Sequence, residues 1–342
     1  MADFIDLRKT SKGKSRLNTG LVACLEQLIE CTPATEKMRL ASFTKAVKAI
    51  QNFDQEITSG TMAKGQIPGI GKGIGDRIDE FLKTGTLVEI QPTAEAGLEK
   101  ELCTVTGIGA VRAQRLMADY AVKSVADLIA RYKAGEITVK PNALTQHITV
   151  GLDYYYDLLE RFPRAEADAL VELLNRHLAA WPAVQTTVCG SYRRGLATCG
   201  DLDVLLSTDG IPPADLLTQV VDSLTRVKFL VGNLTHEGGT KYMGVCKLPA
   251  VGSKGRRIDI RIIPRAALGA AQLYFTGSGE FNVAMRNVAL KAGYTLNEYG
   301  LYRVAPGLAG KAEKGELIPC TSEKDIFAHL RIVYLNPHER MF

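Results

Sequence analysis

Two short stretches constrain this chain more than any other. Gly200-Asp201-Leu202-Asp203-Val204-Leu205-Leu206 and Arg257-Ile258-Asp259-Ile260-Arg261-Ile262 both alternate with the two-residue period of a β-strand. Asp201 and Asp203 therefore share one face while Leu202, Val204 and Leu206 enter a core. Carboxylates held side by side repel, so something positive must sit among them, and a divalent cation with oxygen ligands is the natural answer. In the second stretch Ile258, Ile260 and Ile262 take the buried face and leave Asp259 exposed between two arginines. Alone, Asp259 reads as a salt-bridged strand residue. On a strand next to the first it completes a two-metal site, with ions about 3.5–4 Å apart. One ion would then lower the pKa of an attacking hydroxyl, and the other would hold a triphosphate and the leaving pyrophosphate. Asp259 is the candidate proton acceptor.

A turn precedes the first of these strands. In Gly190-Ser191-Tyr192-Arg193-Arg194-Gly195, Ser191 and the N–H groups after Gly190 form an anion nest toward which Arg194 projects. A nucleoside triphosphate beside the metals implies nucleotidyl transfer.

Two further turns repeat each other. Ile67-Pro68-Gly69-Ile70-Gly71-Lys72 and Val105-Thr106-Gly107-Ile108-Gly109-Ala110 each open a helical run, 38 residues apart from Gly69 to Gly107. A Gly-x-Gly turn at a helix start leaves outward N–H groups with a partial positive charge, which suits a phosphate. No strand precedes either turn, which argues against a dinucleotide fold. The pair resembles helix-hairpin-helix motifs, which grip a DNA backbone without reading sequence. Lys72, Arg77, Arg112 and Arg115 flank the turns as counter-charge.

Composition sets the frame for these sites. The chain has 342 residues, 46% hydrophobic and 23% charged, with a formal net charge of +5 that permits nucleic-acid binding without demanding it. No apolar run approaches the roughly 18–20 residues that cross a bilayer, and Met1 to Arg16 lacks the apolar core of a secretion signal. Seven cysteines without a CxxC pair read as reduced thiols in an intracellular protein with no zinc site. Arg8, Lys9, Lys12, Lys14 and Arg16 make a basic N-terminal cluster, which reads as a solvated terminus or a nuclear address. The texture is helical from about Asn18 to Leu87, linker-like around Gln91–Gly97 with Pro92, and helical again from Leu98 to about Lys133. A break follows at Lys140-Pro141-Asn142, and β-rich runs appear at Thr186–Cys189, Leu202–Leu206 and Arg257–Ile263. The fold class is multidomain α+β, helical first and then a mixed sheet.

Beyond these motifs, Cys189–Gly195, Thr240–Cys246, Arg256–Arg261, Tyr274-Phe275-Thr276-Gly277-Ser278, Asn297-Glu298-Tyr299 and Ser322–Phe327 resemble the family X DNA polymerases of the DNA polymerase beta type. The resemblance runs from about Leu17 to Pro337. It implies a lyase-type helical domain with the first hairpin over 1–90 and a DNA-binding helical subdomain with the second over 91–150. A catalytic nucleotidyltransferase palm over 151–264 and a nucleotide-checking subdomain over 265–342 follow. Asp201, Asp203 and Asp259 would bind two magnesium ions, with manganese as a substitute. Ser191, Arg194, Gly200, Tyr274, Phe275, Gly277 and Asn282 would contact the nucleotide. Gly69, Gly71, Gly107, Gly109, Lys241, Arg257 and Arg286 would contact DNA, with a monovalent cation at the hairpin turns. Arg261 and Glu298 match a pair that switches Asp259 between sequestered and metal-binding states.

Departures are equally informative. The family's Schiff-base lysine falls on Arg77, whose guanidinium is no amine nucleophile. A neighbouring pocket lysine falls on Gly73, and other pocket positions become Met38 and Phe43. Arg39, Lys45, Lys72 and Arg77 remain a candidate 5′-phosphate pocket, with Lys72 or Lys45 as substitute amines. Thr149 stands where the family has a triphosphate-binding arginine and Gly279 where it has an aspartate, which predicts weaker nucleotide binding. The expected function is gap filling by a monomeric, template-directed DNA polymerase acting on gapped or primed duplex and dNTPs in base-excision-type repair. No membrane is involved, and the setting is nuclear, with mitochondrial or viral settings as alternatives. The rival readings are a template-independent terminal transferase and a non-enzymatic DNA-end binding module. The short Cys246–Arg256 connection and the intact aspartates count against them. No separate exonuclease constellation is visible.

Overall fold

Leu21, Leu25 and Leu28 recur at helical spacing and bury one face of the helix Thr19–Cys31, while Phe43, Val47 and Ile50 do the same for Lys37–Gln51. The structure is a computed structural model, described over residues 4–10, 17–90, 94–140, 143–235, 239–305 and 313–341. Lys12, Lys14 and Arg16 of the basic cluster, Pro92 of the expected linker and Pro141-Asn142 lie outside these residues. The chain divides into two units, Ser11–Leu152 and Met1–Thr10 joined with Asp153–Phe342.

The first unit is helical. The two helices above pack with Ile57, Ile67, Ile70, Ile74 and Ile78 in one core. The helical stretch expected from Leu98 to about Lys133, with its Gly-Ile-Gly turn opening a helix, is three helices, Ala94–Cys103, Ala110–Tyr120 and Val125–Lys133. The chain breaks at the second Gly-Ile-Gly turn and at Ser124, whose side chain caps the last helix by accepting from Asp127 N. Both repeated turns have one geometry. Gly69 (φ 90°) and Gly107 (φ 91°) take left-handed backbone. Ile70 and Ile108 are buried, and Gly71 and Gly109 sit at the starts of helices Lys72–Thr84 and Ala110–Tyr120.

In the second unit ten strands run β1 (Phe162–Pro163), β2 (Gln185–Val188), β3 (Thr198–Cys199), β4 (Leu202–Thr208), β5 (Leu230–Asn233), β6 (Lys241–Cys246), β7 (Arg256–Pro264), β8 (Tyr294–Asn297), β9 (Gly300–Ala305) and β10 (Glu313–Ile318). A five-stranded sheet has the order β2-β4-β7-β6-β5, with β4 and β7 parallel and every other pair antiparallel. Leu202, Val204 and Leu206 join Ile258, Ile260 and Ile262 beneath the helices Arg164–Leu178 and Pro213–Arg226. On the opposite face Leu205 and Ile263 are covered by Ala267 and Ala271.

A three-stranded antiparallel sheet β10-β9-β8 packs with the helices Gly279–Lys291 and Glu323–His329 around Phe281, Met285, Ile326 and Phe327. Leu7, 1% exposed, belongs to this same core. Ile5 forms a parallel bridge with Ile332, so residues 4–10 lie on the C-terminal unit.

All seven cysteines are free thiols. Among the described residues no helix is long and apolar enough to cross a membrane. Leu25→Ala, at a fully buried position, is expected to cost about 2–5 kcal/mol, read as a lower midpoint of urea unfolding by circular dichroism.

Candidate active site

The pairing of β4 with β7 fixes the centre of the site. In the parallel register Asp203 is directly opposite Asp259, and Asp201 lies two residues earlier on the same face as Asp203. The sequence pattern puts Asp259 in the open. In the structure it is 8% exposed, because both faces of β7 are covered. Its carboxylate accepts from Arg257 Nε at 3.2 Å and Nη2 at 3.0 Å, a bidentate pair along one strand. That hydrogen-bonded carboxylate also raises the pKa of the Arg257 guanidinium.

The other two carboxylates gain no such direct partner in this array. Burial pushes Asp203 up to about 7, and the charges of Asp201 and Asp259 add to it. Burial also raises Asp201, against the pull of Arg257. Such a cluster of like charges with only oxygen donors suits a hard divalent cation such as magnesium. Asp259 is engaged by Arg257, and among the described residues no three His, Cys, Asp or Glu side chains yet converge as a finished ligand set.

The turn before β4 is shaped around this cluster. Gly190 has φ 58°, and a Cβ there would lie 2.2 Å from Asp203 Oδ2, so any side chain would displace the carboxylate. Ser191 is buried at the first turn of Gly190–Arg193. Arg194, whose charge is disfavoured by burial, donates through Nη1 to the Thr276 carbonyl, while its buried Nε has no hydrogen-bond partner.

A cavity of about 300 Å³ opens here. Gly190, Ser191, Arg194, Gly200, Asp201 and Asp203 line it from the sheet side, and Tyr274, Phe275, Gly277, Ser278, Gly279 and Asn282 from the other. Asn282 donates to the Tyr274 carbonyl at 2.7 Å, which fixes the start of its helix against the turn. Arg286 lies one turn on, exposed, and donates back to Asn282 O. Arg261 stacks over the Phe275 ring at 4.8 Å, and Glu298 sits in the turn between β8 and β9. Lys241 is the exposed first residue of β6, in register with Arg261.

Sequence reasoning missed one lining residue. Arg161 faces the same cavity and is held by Thr198, donating to its hydroxyl at 2.9 Å and its carbonyl at 2.6 Å. Thr149 lies inside the helix Gln146–Asp153 and donates to Gln146 O at 2.8 Å, while Arg161 and Arg194 both line the cavity. Gly279 does line the cavity, and a Cβ there would meet nothing within 4 Å.

Two basic sites occupy the helical unit. The second hairpin turn opens on a cavity of about 610 Å³ lined by Lys37, Gly109, Arg112 and Arg115. At the first, Arg39 and Arg77 both stack on Phe43, at 5.6 and 5.2 Å. Glu89 bridges them, accepting from Arg77 Nη2 at 2.7 and 2.9 Å and from Arg39 Nη2 at 2.9 Å. Lys72 is exposed and pairs with Asp76 at 3.2 Å, and Lys45 is exposed. Neither amine joins the Arg39–Arg77–Glu89 cluster.

Known proteins resemble both units. Models of three domain families match the chain, DNA polymerase beta palm over residues 161–265, DNA polymerase beta thumb over 271–341 and a helix-hairpin-helix domain over 16–87. A DNA polymerase lambda of Rattus norvegicus is 34% identical over 316 residues, covering 89% of this chain and 53% of the relative. A DNA polymerase lambda of Arabidopsis thaliana is 30% identical over 348 residues, 95% of this chain and 62% of that one. The DNA polymerase/3′-5′ exonuclease PolX of Bacillus subtilis (strain 168) is 25% identical over 309 residues, 88% of this chain and 50% of the relative. The chain thus spans between 50% and 62% of the length of these curated relatives.

Replacing Asp203 by Asn removes a half-buried charge beside two others. In EDTA at pH 8 the Asp203→Asn protein should melt higher than the parent, on the order of 3 °C. Magnesium should raise the melting temperature of the parent and leave that of the variant unmoved. Differential scanning calorimetry of the two proteins with and without the ion reads both effects.

Proposed function

The chain belongs to the DNA polymerase beta family, family X, and we propose that it is a template-directed DNA polymerase that fills short gaps during base-excision-type repair. The observation that carries this reading is the cavity in which Ser191, Arg161 and Arg194 face Asp201 and Asp203, with Asp259 in register on the next strand. Asp201, Asp203 and Asp259 would hold two magnesium ions, replaceable by manganese, which when bound lower the pKa of a primer 3′-hydroxyl and offset the charge of a triphosphate. Ser191 and the two arginines would orient the phosphates for displacement of pyrophosphate, the unpartnered Arg194 Nε offering one donor already in place. Asp259, once released from Arg257, would take the proton from the 3′-hydroxyl oxygen. The Tyr274–Gly277 turn would press on the sugar, and Asn282 and Arg286 would face the nascent base pair. Arg261 and Glu298 are proposed to control the release of Asp259.

The hairpin turns at Gly69 and Gly107, with Gly71 and Gly109 open to close approach, would grip DNA phosphates together with a monovalent cation. Lys241 and Arg257 would add contacts to the primed duplex. Arg39 and Arg77 suit a 5′-phosphate in exchange for Glu89, and among the described residues no amine joins that cluster to form a Schiff base, leaving Lys72 or Lys45 as the substitute nucleophiles if lyase chemistry occurs. The enzyme is proposed to act as a monomer with a nuclear address. The short Cys246–Arg256 connection favours templating over terminal transfer.

A one-nucleotide gapped duplex bearing a 5′-deoxyribose phosphate tests the whole reading. With magnesium the gap should fill, and borohydride should trap no protein–DNA adduct. A trapped adduct would mean a lysine does the lyase step, with Lys72 the first to mutate, and failure to extend would leave a DNA-end binding module. Asp259→Ala should abolish extension while leaving DNA binding within about twofold. Gly279→Asp has room for its side chain and should tighten dNTP binding about threefold, read as a dissociation constant by fluorescence titration.

A further inference from the structure

Residues near the start of the chain are built into the unit that carries the nucleotide cavity. Ile5 N donates to Arg331 O at 2.8 Å, and Val333 N donates to Ile5 O at 2.9 Å, a two-bond ladder to the C-terminal segment. Leu7 fills the adjoining core at 1% exposure. Arg8 forks between two carboxylates, donating to Asp6 at 2.9 and 3.0 Å and through Nη1 to Glu339 Oε1 at 2.9 Å.

The other oxygen of Glu339 accepts from Asn336 N at 2.8 Å and Nδ2 at 3.0 Å, closing a capping box on the short helix Pro337–Glu339. The next residue, Arg340, is fully buried, and its carbonyl accepts from Ser278 N at 3.1 Å. Ser278 lines the nucleotide cavity and caps the helix carrying Asn282 and Arg286, accepting from Phe281 N at 3.2 Å. A continuous set of contacts therefore joins residues 5–8 to the Gly277-Ser278 turn.

We infer that the Ile5–Arg8 segment is a brace of the nucleotide site, acting through the 331–340 segment to hold Ser278, and that its residues are positioning residues for nucleotide binding. Nothing in the nucleotidyl-transfer chemistry itself involves them. The exposed Arg8–Glu339 pair contributes little alone. The ladder and the buried Leu7 supply most of the attachment. The inference rests on the reading of the cavity as a nucleotide site, but one of its tests does not.

Two altered forms of the full chain test it. Deletion of residues 1–9 removes the brace entirely, and Ile5→Pro removes the N–H that donates to Arg331 O while fixing φ there, with Ile5→Val as the conservative control. Hydrogen exchange at the Ser278 amide should speed up in the deletion and in Ile5→Pro, and stay at the parent rate in Ile5→Val. In gap filling, KM for dNTP should rise about fivefold with kcat within twofold and the DNA dissociation constant unchanged. Unaltered exchange at Ser278 in both altered forms would overturn the brace, as would a KM equal to the parent's. A loss of kcat and DNA affinity in step with the fraction unfolded would overturn it too, by reducing the segment to general stability. The exchange measurement decides the question even if the parent protein fails to extend DNA, the result that would instead remove the polymerase reading.

Discussion

Asp203 and Asp259 face each other across two parallel strands, and the surrounding structure answers that juxtaposition. Parallel register places equivalent positions side by side, so two carboxylates meet without intervening side chains. The protein neutralises only part of the charge. Arg257 takes Asp259, while Asp203 and Asp201, half-buried at the cavity, stay disfavoured as anions. Gly190 yields its side-chain space to Asp203, and the helix Leu268–Thr276 covers Leu205 and Ile263 beyond the cluster. An array this costly to maintain has a use when cations arrive from outside, which is the chemistry proposed for it.

The helical unit solves the opposite problem with its own residues. Arg39 and Arg77 stack on one aromatic ring and could attract an anion, yet Glu89 is already there. Where the acidic centre pairs only Asp259 with a hydrogen-bonded arginine among the described residues, the basic pocket carries its own bridging carboxylate. Replacing an amine by a guanidinium at Arg77 removes the nucleophile but keeps a planar fork suited to bidentate anions.

Much of this was legible in the residues, and the failures have physical causes. The period-two pattern gave β4 and β7 nearly to their ends, and the Gly-Ile-Gly repeat marked two helix starts that the structure shows with matching backbone. The burial of Asp259 was not legible, because alternation tells which side a residue takes and not whether a second layer covers that side. Arg161 gave no signal. It reaches the cavity through Thr198, a contact that depends on β1 pairing with β3 across two helices and a strand. The break at Ser124 was not legible, because a single serine cap weighs little against sustained apolar periodicity.

The attachment of Ile5 and Leu7 to the far end of the sequence also sets the order in which the protein can be completed. Arg8 and Glu339 are 331 positions apart, and the whole helical unit is threaded between them. During synthesis these residues wait for partners made 331 positions later, while the intervening helices can assemble from local contacts. The entropic cost of closing so long a loop rises only as the logarithm of its length, and prior folding of the inserted unit shortens the effective loop. The core around Phe281 and Phe327, with Leu7 in it, is thus sealed after the inserted unit has been made.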